Sequence, residues 1–565
     1  MSSNHFDPIT LEVLWNRLIS IVNEQAAALM HASFTTVVRE AGDLSAGVFD
    51  EQGNMLAQAV TGTPGHINTM ATCVRHFLRE YPMAVLREGD TLITNDPWIA
   101  SGHYHDFTVV TPVFHRGRAV GLFANTCHVM DIGGRVLGAD ANSVYEEGLA
   151  IPIMKLVDRG RINEDLIKII GANVRVPEPV LGDIHAMIAA NEVGGKKLIE
   201  MMQDYGLSDL EGLSAAIIEH SEFSMRAAIR LIPDGIYRHQ IEVDGFEKPI
   251  LIKLALTVRD DQMIADYAGS SPQSSRGINV VYNYTHAYTT YPIKCSVNPD
   301  VPNNEGSFRP VTVVAPEGCI LNCKRPAAVG ARHIIGHFLS AAIFGALSHV
   351  LPDQVIAEGS QGLWVTQFDG VDERGEQFCY VFFSSGGTGA RPNKDGLSAT
   401  AFPSGIQGVP VELVENVSPL FLRCRELIQD SGGPGRHRGG LGQRIALTVR
   451  STEPAQHSPM YDRILFPAKG FAGGLPGTKG RIYLDDGTVP HAKTKYILKP
   501  GRKVILELPG GGFYPPEERD AEKVREDVIN ELVSIAQARE AYRVVIDPKT
   551  MDLNRSETEK LREGK

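Results

Sequence analysis

Hydrophobic positions along this chain change their spacing several times. Leu11, Leu14, Leu18, Ile21, Val22 and Leu29 recur at the period of a helix with one buried face. Asp7-Pro8 supplies an N-cap and a first-turn proline, so a helix is expected from there to about His31. From Val37 to Asn54 the pattern becomes that of strand, turn and strand, with Asp50-Glu51-Gln52-Gly53 as the turn. The glycine-containing loop Thr61–Asn68 leads into a helix near Met70–Arg79, and Asn95-Asp96-Pro97-Trp98 reads as a turn. Two β-rich runs follow, Asp106–Phe114 and Ala119–Thr126. The short turn His115-Arg116-Gly117-Arg118 joins them into a hairpin.

Helical spacing returns as far as about residue 230, in segments that include Asp183–Ala190 and Leu213–Leu231. At Gly235 it gives way to short alternating runs, Tyr237–Val243, Leu251–Val258 and Met263–Tyr267. Ala331–Val350 is apolar nearly all round (Ile334, Ile335, Phe338, Leu339, Ala342, Ile343, Leu347), the mark of a buried helix, with Pro352 just past its end. Near the C-terminus a helix is expected around Val524, Val528 and Leu532. The capping box Ser534-x-x-Gln537 opens another to Tyr542, and the charged stretch Asn554–Lys565 is expected to fray. The predicted fold class is α+β. Residues 1–234 form a mixed α/β domain carrying the hairpin, 235–515 a β-rich domain with the buried helix, and 516–565 a helical tail.

Composition narrows the function classes. The chain has 565 residues, 43% hydrophobic and 22% charged, as in ordinary globular proteins. A net charge of −12 without a basic cluster argues against a nucleic-acid partner, and no apolar run reaches the length of a membrane span. The start, Met1–Pro8, has neither a basic nor an apolar run, so no leader is expected. Seven scattered cysteines point to a reducing compartment, with Cys319 and Cys323 as packed thiols and the cytoplasm as the expected location. The Gly473–Lys479 segment does not fit a phosphate-binding loop, and neither a dinucleotide fingerprint nor a G-x-S-x-G elbow occurs. Any nucleotide used is expected on another chain.

The hairpin carries the candidate chemistry. With Arg116-Gly117 at the turn centre, Asp106 would face Cys127 and His105 would face His128. His103-x-x-Asp106 then lies beside His128-x-x-Asp131, and such imidazole and carboxylate groups are the ligand set of a catalytic zinc, manganese or iron. Taken singly, each His or Asp also fits packing or turn chemistry. Asp43, just before a strand, fits an Asx turn better than a ligand on these grounds alone. His66 at a helix start suits an anion site or a cap. The glycine loops Gly386–Pro392 and Asp430–Gly440 suit either an anion cradle or the turns of an all-β region.

Over nearly its whole length the chain resembles the hydantoinase B/oxoprolinase family. The resemblance rests on Arg39-Glu40-x-x-Asp43-x-Ser45, Asn95-Asp96-Pro97, His103-x-x-Asp106 and His128-x-x-Asp131-x-Gly133-Gly134. It extends to Glu147-Gly148-Leu149, Gly386-Gly387-x-Gly389-Ala390-Arg391 and Asp430-Ser431-Gly432-Gly433-Pro434-Gly435. The resemblance implies a divalent metal (zinc or manganese, with iron as a further option) held by His103, Asp106 and His128, with Asp43 as fourth ligand and His105 as a non-ligand. It casts Asp131 as a group orienting a ligand imidazole, and Asp131, His66 and Glu147 as candidates for orientation or proton transfer. It also implies an ATP-using A-type partner in a hetero-oligomer, α2β2 or larger, that phosphorylates a cyclic amide which metal-activated water then opens here. An acetone- or acetophenone-type carboxylase subunit and a non-catalytic scaffold for the ATPase are the alternative expectations. One departure stands out, because relatives commonly read Gly-Gly-Gly-Gly-Tyr-Gly-Asp-Pro where this chain has Gly510-Gly511-Gly512-Phe513-Tyr514-Pro515-Pro516.

Overall fold

The computed structural model describes residues 6–60, 63–508 and 510–564. The first five residues, Thr61 and Gly62 of the loop before His66, Pro509 and Lys565 lie outside the described residues. The fold is α+β, as the spacing of the sequence predicts. The hairpin belongs to a seven-stranded sheet built from β1 (Leu44–Phe49), β2 (Met55–Gln58), β3 (Thr91–Thr94), β4 (Asp106–His115), β5 (Arg118–His128), β6 (Met154–Asp158) and β7 (Arg161–Ile162). Their spatial order is β2-β1-β5-β4-β3-β6-β7, so the hairpin strands β4 and β5 lie inside the sheet and are buried along most of their length.

Helices cover this sheet. Pro8–Ala32, capped by Asp7, packs on β1, β2 and helix Pro177–Asp204, and the latter lies against the hairpin strands. A buried amide network locks them in place. Gln25 Nε2 donates to Ala124 O (3.1 Å) and Asn191 Oδ1 (2.7 Å), and Asn125 Nδ2 donates to Asn191 Oδ1 (2.7 Å) and Met187 O. Buried amides leave a helix little freedom to slide, because any shift strands a donor away from water. Helix Pro64–Glu80 packs beside helix Tyr282–Val297, which comes from the later half of the chain.

Gly235 opens a four-stranded sheet of β8 (Gly235–Val243), β9 (Ile250–Arg259), β10 (Gln262–Asp266) and β11 (Val311–Val314), ordered β11-β10-β9-β8. Two further four-stranded sheets follow between Trp364 and Glu507. One continuous apolar core extends from Leu14 to Phe513. No helix among the described residues is long and apolar enough to cross a membrane.

Four local expectations are corrected. The hairpin turn is centred on Arg116-Gly117, both at positive φ (51° and 79°), but a bulge at Val113/Phe114 shifts the register beyond it. Asp106 therefore pairs with His128, not Cys127. One extra residue on a strand suffices for this, and turn chemistry alone does not reveal it. Val37 and Val38 sit in a helical turn, Thr36–Arg39, capped by the Thr35 hydroxyl. The buried helix is divided into His333–Gly336 and Phe338–Leu347 at His337. The tail does not fray at Asn554, which caps a helix Arg555–Glu563 by accepting from Glu557 N–H.

Candidate metal centre

Strand pairing assembles the centre at one end of the sheet. Leu44 of β1 pairs with Cys127 of β5, and His128 N–H donates to Asp43 O (3.1 Å), so Asp43 arrives beside the hairpin end. The loop before β4 is clamped by Asn95, which donates to Tyr104 O (2.8 Å) and Leu149 O (2.9 Å) and accepts from Ile151 N–H (2.6 Å). That clamp fixes the segment that carries His103.

Asp106 is the hub. Its Oδ1 lies 2.7 Å from His103 Nε2 and 3.2 Å from His128 Nδ1, and its Oδ2 lies 3.0 Å from His66 Nε2. The Arg332 guanidinium donates to Oδ2 as well, anchors its Nε on Ser101 O and stacks over Tyr284, 4.5 Å from the ring centroid. Gly102, at φ 92°, leaves room for it, since a Cβ there would come within 2.7 Å of Arg332 Cδ. Asp43 stands at the margin, 3.7 Å from His66 Nδ1 and 3.9 Å from His128 Nδ1. All five groups, and Arg332, are buried.

Electrostatics follow from burial and charge. Burial opposes ionisation of Asp106, but the cationic groups facing it, His66 and Arg332, outweigh it and hold the carboxylate well below its ordinary pKa. Burial, reinforced by Arg332, pushes His103 down to about 3, so its imidazole is neutral. Burial likewise raises Asp43, against the pull of His66 and His128. His66 moves upward, because Asp106 and Asp43 outweigh its desolvation.

The donor set fits a divalent ion. Single ligand atoms of His103, Asp106 and His128 lie within 4.8 Å of one another, all buried. Neutral His103 has one ring proton but faces two acceptors, Gly330 O at Nδ1 (3.1 Å) and Asp106 at Nε2. With the proton on Nδ1, the Nε2 lone pair points at a carboxylate, and a cation where the ligand atoms converge removes that conflict. A carbonyl acceptor behind a ligating imidazole is the usual means of fixing its tautomer.

Glu147 controls that carbonyl. Its Oε1 accepts from Val329 N–H (2.8 Å) and Gly330 N–H (2.7 Å), which holds the peptide just before the carbonyl that faces His103 Nδ1. Burial pushes Glu147 up to about 8, partly offset by those two N–H groups. It therefore acts through Gly330, the orienting one of the two roles expected for it, and among the described residues it makes no hydrogen bond to the ligand atoms. Asp131 lies away from the ligand imidazoles. It accepts from Gly133 N–H and from the backbone and guanidinium of Arg175, and it orients none of the imidazoles. His105 stacks on His128 (centroids 5.3 Å apart, 16° between planes) and backs the ligand ring.

The chamber in front of the cluster is walled by Tyr284, Tyr288, Arg332, His333 and His337 from the later half of the chain. The sequence pattern gives them little prominence, because they lie in or beside apolar helices. An arginine and two histidines bordering an otherwise apolar run are the one signal available. His337 is tied up by Tyr288 (3.0 Å) and Gln361 O, whereas His333 Nε2 has no partner among the described residues.

The model of the hydantoinase B/oxoprolinase family matches residues 7–516. The chain belongs to this family. It is 31% identical to the caprolactamase subunit beta of Pseudomonas jessenii, over 96% of this chain and 97% of that one. The crystal structure of the ATP-dependent caprolactamase from the same organism superposes with a TM-score of 0.87 at 28% identity, covering 99% of this chain and all of that one. A nucleotide-free acetone carboxylase shares the fold, with a TM-score of 0.87 at 19% identity over 99% of this chain and 83% of that one.

Proposed function

We propose that this chain is the metal-dependent B-type subunit of an ATP-dependent cyclic amide hydrolase, acting with an A-type ATPase in an α2β2 or larger cytoplasmic complex. The observation that carries this reading is the convergence of His103, Asp106 and His128 on one buried point beside a small chamber, in a family that includes lactam hydrolases. An unstrained amide is a poor electrophile, and phosphorylating its oxygen on the partner would supply a leaving group. A divalent ion bound by the three ligands, with Asp43 as a fourth, would lower the pKa of water and polarise the activated carbon.

The chain's own residues then have defined tasks. His103 is held in the Nδ1–H tautomer by Gly330 O, and Glu147 holds Gly330. Arg332 and His66 neutralise the outer oxygen of Asp106 and keep the carboxylate turned inward. His105 and Tyr284 close two sides against bulk water. Zinc and manganese both suit this donor set, and iron is compatible with it.

The test is metal analysis and ATP-dependent ring opening of a lactam or hydantoin by the chain with an A-type partner, wild type beside His128→Ala. About one equivalent of metal and amide hydrolysis in wild type, with both lost in the variant, is expected. Normal turnover by a correctly assembled variant would make the subunit a scaffold. ATP turnover that requires bicarbonate would make it a carboxylase subunit.

A further inference from the structure

The chamber is too small for the reaction assigned to it. It leaves about 40 Å³ for water-sized molecules, room for about three waters, whereas sites for ring-sized ligands occupy some hundreds of Å³. A second cavity of about 440 Å³ adjoins it, lined by Ile67, Tyr291, Lys294, Cys295, Asn303 and Phe402 among others.

Three separate segments run from one space to the other. At the start of helix Pro64–Glu80, Thr63 and His66 face the chamber, while Pro64, Ile67 and Asn68 face the outer cavity. Along helix Tyr282–Val297, Tyr284 and Tyr288 line the chamber, and Tyr291, Lys294 and Cys295, one and two turns later, line the cavity. In the third segment Phe402, Pro403 and Gly405 lie outside and Ile406 inside, while Ser404 borders both. Ser404 is buried, and its hydroxyl accepts from Ile406 N–H, which closes a tight bend at the boundary.

We propose that the outer cavity is the vestibule of the metal chamber, and that the neck at Ser404 is the passage by which an amide-sized solute reaches the imidazole cluster. Its substrate class rests on the function proposed above; its position does not. The walls suit such a solute. Proline, isoleucine and aromatic faces supply apolar surface, and Asn303, whose Nδ2 is spent on Gln58 and Asn68, offers an Oδ1 without a partner among the described residues. The ring enters the cavity intact, and the neck must widen before it meets the ligands.

Cys295 offers the test, because it is the exposed thiol of this wall. The full chain is treated with diethyl pyrocarbonate, and carbethoxylation of His333, whose Nε2 is unpartnered in the chamber, is followed by peptide mass spectrometry. Exposed His31 serves as the internal reference. Prior coupling of Cys295 to a bulky maleimide, in mildly alkaline buffer, is expected to slow His333 modification roughly tenfold, leaving only the rate set by local opening elsewhere. His31 should be unaffected, and in Cys295→Ser the maleimide should make no difference. Ser404→Trp, which fills the neck, should slow His333 likewise. An unchanged His333 rate after coupling, or a His333 unreactive in the untreated chain, would overturn the proposal. The readout needs neither bound metal nor turnover, so a failure of the hydrolase reading would show separately in metal analysis and ring opening.

Discussion

Two glycine-marked regions of this protein are buried and rich in polar atoms, yet they are packed by opposite rules. At the hairpin end, side chains converge and some are left in conflict. His103 faces two acceptors with one proton, and among the described residues His66 Nδ1 and His128 Nε2 have no partner. In the lattice formed by residues 386–397, 430–442 and 510–514, backbone lies directly on backbone. Thr388 N–H donates to Leu397 O, Gly440 N–H to Thr388 O, Ala390 N–H to Gly511 O and Gly433 N–H to Gly510 O. These N–H groups are spent on carbonyls of the same chain and are not turned toward an anion. The departing Gly510–Pro516 stretch threads the same lattice: Phe513 and His437 exchange backbone hydrogen bonds, and Arg436 stacks on Tyr514. Backbone paired with backbone marks architecture here, and unpaired imidazole nitrogens mark the candidate chemistry.

The strongest way to sharpen that contrast is to remove the hub. Asp106→Ala leaves Arg332 and His66 buried without their counter-charge, which costs on the order of 3–5 kcal/mol. Loss of bound metal and a large drop in the urea midpoint are expected together. Retention of either would break the assignment of Asp106 as hub. The lattice should answer differently. In Gly387→Ala the new methyl would lie 1.9 Å from Gly440 O, and both sides are backbone, so neither can swing away. A stability loss of roughly 1–3 kcal/mol is expected from such overpacking, with metal content per folded chain unchanged. Metal lost in proportion to stability would show the two regions to be one unit.

A smaller effect separates positioning from ligation. Glu147 is raised from its ordinary 4.5 to about 8 by burial, with Glu146 adding to the shift and Arg332 opposing it. The folded chain then holds a proton that the unfolded chain releases. Its contribution to stability is full below about pH 4.5 and is lost as pH rises toward 8. Glu147→Gln keeps an acceptor for the Val329 and Gly330 N–H groups but cannot ionise. Urea titrations across that window should show the variant gaining on wild type as pH rises. A constant difference between them would refute the buried, protonated carboxyl.

Much of this was legible in the residues. The helix from Pro8, the turn at Asp50–Gly53, the hairpin turn and the strands after Gly235 follow from local spacing and turn chemistry, which act over a few residues. The motifs His103-x-x-Asp106 and His128 also point to the cluster, because a hairpin brings its ends together whatever else the chain does. The bulge at Val113/Phe114 was not legible, since it answers to packing across the sheet. Nor was Arg332, which meets Asp106 only because the segment before helix His333–Gly336, far along the chain, returns to the hairpin end. Asp43 was ambiguous for a related reason: β1 beside β5 is a tertiary fact, and before it is known an Asp ahead of a strand is ordinary turn chemistry.

Asp131 gives the finest test, because motif spacing and geometry disagree about it. By spacing it repeats the His-x-x-Asp pattern of His103 and Asp106, and it would be expected to steer an imidazole. In the fold the chain turns away after Met130, and the carboxylate instead joins Gly133 to Arg175, at the foot of the helix that begins at Pro177. Arg175 also donates to Gly134 O, so the pair staples the loop leaving β5 to the helical layer. Asp131→Asn preserves the shape and one acceptor oxygen but weakens a charge-assisted pair that is partly open to solvent, a loss of about 1 kcal/mol. Metal affinity measured by competition with a chromophoric chelator should stay within a factor of about two of wild type, against the 10–100-fold loss typical when a partner of a ligating histidine is removed. A loss of that larger size would place Asp131 behind an imidazole after all, and the loop after β5 would then have to fold differently once the metal binds.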